Sequence, residues 1–138
     1  MPTRHSKTTL LAHVVWSTAE RVRILSPRTD VWLYSRLACQ CRDAGAELIA
    51  GGNGWDHVHA IVRWEPTQKL CDVVQRMKGG ASRFWNLEHR DRLDWQDGYW
   101  AETVNPDDLE GLVAYVRRQR IRHDGDLSPE RWELALIV

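Results

Sequence analysis

The chain has 138 residues, 43% of them hydrophobic and 28% charged, with 19 Lys and Arg balanced by 19 Asp and Glu. These figures describe an ordinary globular domain able to bury a core, and they exclude a protein coated in positive potential. No apolar run approaches the roughly 20 residues of a bilayer crossing, and the polar start lacks the pattern of a signal peptide, so the expectation is one domain over 1–138 in the cytoplasm, with no membrane partner.

Residues 10–16, LLAHVVW, are apolar and β-rich and predict a first strand. Ser26-Pro27 reads as a helix start, with a hydroxyl cap and Pro at the first helical position. The predicted helix runs to about Ala44 with Val31, Tyr34, Leu37, Ala38 and Cys41 on one face, and Gly45 ends it. Cys39, Cys41 and Cys71 form no CxxC pair, so they predict free thiols rather than a disulfide or zinc knuckle. Residues 47–50 predict a short second strand and Gly51-Gly52-Asn53-Gly54 a turn.

Residues 57–64, HVHAIVRW, then alternate as a third strand, the hairpin partner of the second. A second helix opens near Thr67 with the stripe Leu70, Val73, Val74, Met77. Gly79-Gly80 is expected to interrupt it. After a polar loop, residues 98–104 predict a fourth strand. Asn105-Pro106-Asp107-Asp108 then starts a last helix expected to reach about His123. Residues 124–138 read as a C-terminal tail. The order β-α-β-β-α-β-α is that of an α+β, ferredoxin-like split βαβ sandwich with a four-stranded antiparallel sheet.

The chemistry lies in two pairs. His57 and His59, two apart on a strand, point to one face. Tyr115 and Gln119, four apart on a helix, lie about 6 Å apart along one face. Two imidazoles, a carboxamide and a phenol converging on one point would make a metal site beside a nucleophile. Arg117, Arg118, Arg120 and Arg122 crowd around that helix stretch.

His-hydrophobic-His followed by Tyr-x-x-x-Gln resembles the small single-tyrosine HUH transposases of bacterial insertion sequences. Flanking segments are similar too: His13-Val14-Val15-Trp16-Ser17-Thr18, Met77-Lys78-Gly79-Gly80-Ala81-Ser82-Arg83 and Trp95-Gln96-Asp97-Gly98-Tyr99. Where relatives often carry a His pair after the Gln, this chain has Arg122-His123.

The resemblance implies His57, His59 and Gln119 as ligands of a divalent cation, Mg²⁺ or Mn²⁺, and Tyr115 as the nucleophile. It implies nicking and rejoining of single-stranded DNA at hairpin-flanked ends through a 5′-phosphotyrosine, by a homodimer. Lys78, Arg83, Arg117 and Arg118 are candidate phosphate contacts, and Trp55 and Trp95 (or Trp100) candidate base-stacking residues. The competing readings are a domesticated hairpin-binding protein or an HUH nuclease without transposition, and a hydrolytic metal or zinc site with Asp56 as a further ligand.

Overall fold

A computed structural model describes residues 7–120 of the chain. The elements are β1 (Leu10–Ser17), α1 (Asp30–Asp43), β2 (Glu47–Asn53), β3 (His57–Trp64), α2 (Leu70–Glu88), β4 (Trp100–Thr103) and α3 (Leu109–Arg117). The strands form one antiparallel sheet in the order β2-β3-β1-β4, so the expected α+β architecture and element order hold.

Strand alternation divides the sheet into two unlike faces. Ala12, Val14 and Trp16 of β1 and Val58, Ala60 and Val62 of β3 face α1 and α2 and form the main core. Each fully buried valine among them contributes roughly 1.5–3 kcal/mol. The intervening residues, among them His13, His57, His59 and Ile61, face the other way. There Ala50, Ile61 and Val116 form a smaller buried cluster, flanked by Leu109, Leu112, Val113 and Tyr115 of α3.

The structure corrects several local expectations. In α1 the buried stripe is Leu33, Leu37 and Cys41, while Val31 is 80% exposed and Tyr34 is exposed too. Two apolar stripes were available on this helix, and packing against α2 and the sheet selected the one spaced by four. Ser26 makes no side-chain cap; a 3-10 turn over Pro27–Thr29 leads into the helix.

Of the glycines expected to form a turn, Gly51 and Gly52 belong to β2, which extends to Asn53, and Gly54 lies in the connection to β3. Gly52 is needed because α3 passes directly over it: a Cβ there would collide with the Val116 carbonyl oxygen. Nor do Gly79 and Gly80 break α2, which runs unbroken from Leu70, later than expected, to Glu88. A Cβ on Gly80 would run into the Gln40 side chain of α1, so that glycine lets the two helices approach. The loss of about 1 kcal/mol per helical glycine is offset by the buried stripe Val73, Val74, Met77, Ala81 and Trp85.

β4 is shorter than expected, because only Trp100–Thr103 pairs with β1. The last helix opens as predicted, the Asn105 side chain accepting from the Asp107 amide at 3.0 Å. It does not run on unbroken toward His123. α3 ends at Arg117 and the chain turns at Arg118 (φ −97°, ψ 11°) before Gln119 and Arg120 resume helical geometry. Arg120 accounts for the turn by reaching back to the start of α1, donating to Asp30 at 2.7 and 3.1 Å and to the Leu25 carbonyl at 2.8 Å. His123 and the 124–138 tail lie outside the described residues. No described helix is long and apolar enough to cross a membrane.

Candidate active site

His57 and His59 project together from the α3 side of β3, their rings 5.1 Å apart and both fully buried. Each is fixed through Nδ1. For His57 the partner is the Asp56 carboxylate, 2.9 Å away. The other Asp56 oxygen accepts from Arg21 Nε at 3.0 Å. Burial alone would raise the Asp56 carboxyl, but the hydrogen bonds from His57 and Arg21 and the guanidinium charge more than offset it and hold it at about 2. With both oxygens engaged this way, Asp56 orients a histidine, and the reading of it as a further metal ligand is corrected.

Delivering Arg21 to this position requires unusual backbone. Glu20 and Arg21 are both left-handed at φ 57°, a strain on the order of 1–3 kcal/mol per residue. Sequence reasoning found neither this guanidinium nor the partner of the second histidine. His59 Nδ1 lies 2.8 Å from Nε2 of His13 on β1, 46 residues away. The available signal was a single imidazole at an inward position of an otherwise apolar strand.

Tyr115 lies over this cluster. Its ring centroid is 5.8 Å from that of His59 and 6.2 Å from that of His13, edge-on to both. Trp100 of β4 packs edge-on against His13 at 5.2 Å. Gln119 is fully buried one turn beyond Tyr115. Its Nε2 donates to the Tyr115 carbonyl at 3.3 Å, and its Oε1 is buried with no hydrogen-bond partner among the described residues.

That orphaned oxygen tests the fit of a cation. An unpaired carbonyl oxygen buried in a polar site is costly unless something electropositive reaches it. Both rings hydrogen-bond through Nδ1, and a partner at Nδ1 with Nε2 toward the ion is the usual outer arrangement of a metal-bound imidazole. Among the described residues no three His, Cys, Asp or Glu side chains surround one point, and a carboxamide oxygen is the further neutral donor that the residues near Tyr115 offer. The donor set fits a divalent cation.

The candidate DNA contacts divide between the faces. Arg117 and Arg118 are exposed beside Tyr115, and Trp55 sits between Arg23 and Arg120, their guanidinium carbons 5.4 and 5.5 Å from its ring. Lys78, Arg83 and Trp95 are not brought to the site. Lys78 and Arg83 lie on α2, which covers the opposite face, and Trp95 packs edge-on against the core Trp16 and donates to the Lys78 carbonyl. The Lys78 ammonium donates to the Gln96 and Gly98 carbonyls at 3.0 and 2.8 Å, and burial lowers its pKa while Asp97 opposes the shift. It fastens the loop before β4. Of the alternatives Trp95 and Trp100, it is Trp100 that stands on the histidine face.

A histidine pair on a central strand of a ferredoxin-like sheet, covered by a helix that carries a tyrosine, defines the class of single-tyrosine HUH transposases. The sequence model of the family described as Transposase IS200 like matches residues 6–119, and the chain belongs to that family. No protein of curated function matches it in sequence.

Among solved structures, it is similar to a protein of Deinococcus radiodurans R1 described as a candidate transposase. The TM-score is 0.67 at 23% identity, over 87% of this chain and 98% of that one. It is similar also to a REP-associated tyrosine transposase bound to a REP hairpin, with a TM-score of 0.62 at 18% identity, over 89% of this chain and 73% of the other. At such identities these likenesses establish the shared fold.

Proposed function

We propose that this transposase nicks and rejoins single-stranded DNA at hairpin-flanked ends through a phosphotyrosine formed on Tyr115. The observation that carries the reading is the Tyr115 ring lying against His59, with the unpartnered Gln119 oxygen one turn away. The Tyr115 hydroxyl loses its proton and its oxygen attacks a backbone phosphorus. The bond from phosphorus to the 3′ oxygen breaks, and the 5′ phosphate stays on the tyrosine. A 3′-OH later attacks that phosphorus and releases the tyrosine, so the bond energy is kept and no nucleotide cofactor is required.

A free phenol, with a pKa of about 10, is a poor nucleophile at neutrality. His57 and His59 through Nε2 and Gln119 through Oε1 would hold Mg²⁺ or Mn²⁺. The ion would draw charge from the phosphoryl oxygens, and its full double charge is retained because all three donors are neutral. The edge-on packing of Tyr115 on His13 and His59 limits where the hydroxyl can go. Exposed Arg117 and Arg118 receive the phosphates on either side, and Trp55 and Trp100 offer rings for unstacked bases. The hairpin bound to the REP-associated relative supports the same substrate form here.

Exchanging two DNA ends needs two tyrosines, so we infer a two-fold dimer. Because Tyr115 packs on histidines of its own chain, mixing Tyr115→Phe with His57→Ala protein should leave cleavage unrestored.

The test is incubation of the protein with end-labelled single-stranded DNA carrying an imperfect hairpin, with Mn²⁺, and separation on a denaturing gel. A covalent adduct that EDTA abolishes is expected, with little action on the same sequence as duplex. Undiminished cutting in EDTA, or equal cutting of duplex, would overturn the reading.

A further inference from the structure

We propose that His13 is a positioning residue for the metal site: it accepts the Nδ1 proton of His59 and so keeps His59 Nε2 unprotonated for the cation. The inference rests on the metal-site reading above and extends it to a residue on a different strand.

Two neutral imidazole nitrogens 2.8 Å apart share one proton, so one ring donates and the other accepts. Only one of the two arrangements suits metal binding. If His59 donates, its proton is on Nδ1 and the lone pair on Nε2 is available. If His13 donates instead, the His59 proton moves to Nε2 and confronts the cation with an N–H. At His57 no such ambiguity arises, because its partner is a carboxylate that only accepts. The two histidines are therefore fixed by different means, and that of His59 depends on His13.

His13 is also held in place. It is 7% exposed, its ring plane lies within 22° of that of His59 with centroids 5.0 Å apart, and it meets both Trp100 and Tyr115 edge-on. A residue needed only for filling would be apolar, as Leu11 and Val15 are at the neighbouring positions on the same strand face. The buried imidazole instead spends its polar nitrogen on His59. The same ring thus touches both His59 and Tyr115.

The test uses the whole chain with ¹⁵N-labelled histidine. Long-range ¹H–¹⁵N correlation reads the His59 tautomer in the metal-free protein, and calorimetric titration reads Mn²⁺ affinity. Wild type is expected to show His59 protonated on Nδ1. In His13→Leu the proton should move to Nε2 and Mn²⁺ affinity fall roughly 10–100-fold. His13→Gln, whose amide oxygen can accept, should recover much of both; His13→Met replaces His13→Leu if the latter does not fold.

A His13→Leu or His13→Met protein that keeps the Nδ1 proton and binds Mn²⁺ within twofold of wild type overturns this inference alone. A wild-type protein that binds no Mn²⁺ overturns the proposed metal mechanism and this inference with it.

Discussion

On the α1–α2 side of the sheet, the inward residues of β1 and β3 are all apolar, from Ala12 to Trp16 and from Val58 to Val62. On the α3 side the same two strands present His13, His57 and His59 beside a smaller apolar cluster, Ala50, Ile61 and Val116 among the described residues. Because successive side chains alternate, one pair of strands can serve a dry core and a polar site without either intruding on the other. The consequence is an unequal division of labour. Most of the buried apolar surface among the described residues lies in the large core, while the site is closed by a nine-residue helix that contributes one fully buried side chain, Val116, to the smaller cluster.

The comparison breaks most sharply at the proposed nucleophile. Tyr115→Phe removes one hydroxyl from a half-buried ring, so unfolding free energy should hold within about 0.5 kcal/mol while covalent adduct falls to background. An adduct that persists would move the nucleophile to Tyr34 or Tyr99. On the other face, Leu37→Ala should cost about 2–5 kcal/mol in urea unfolding and leave the cleavage rate per folded molecule unchanged. A site that dies with Leu37→Ala in fully folded protein would mean that the faces are coupled.

A finer probe lies where β2 meets α3. Gly52→Ala drives a methyl into the Val116 carbonyl, which should cost about 1–3 kcal/mol and reduce cleavage far more than that loss of stability explains. Gly79→Ala, whose Cβ meets nothing within 4 Å, should stabilise α2 by about 0.5–1 kcal/mol with cleavage intact.

A separate effect is expected at Asp56. Asp56→Asn should weaken Mn²⁺ binding roughly 10–100-fold, because an amide has one accepting oxygen and cannot serve both His57 and Arg21 as the carboxylate does. Its carboxyl sits at about 2 in the folded protein, below the unfolded value of about 3.9. The stability it adds is therefore complete above pH ~4 and lost as pH falls through ~2. The wild-type-minus-variant difference in acid unfolding should shrink over that interval and be flat above it.

Local chemistry alone settled a good deal. The period-two run from His57 to Trp64 put both histidines on one face, the stripe from Val73 to Met77 gave α2 its buried side, and Asn105 capped the last helix. Such features need only neighbouring residues, so they can be read along the chain. The tertiary structure decided whatever depends on which distant segments meet. It chose Leu33 over Val31 in α1, turned Gly52 from a turn residue into a passage for α3, and set Lys78, Arg83 and Trp95 on the far face from Tyr115. It also laid β1 beside β3 in the register that joins His13 to His59. Strand order and register are long-range choices, made by the burial of both faces at once, and no window of sequence contains the 46-residue separation that created that contact.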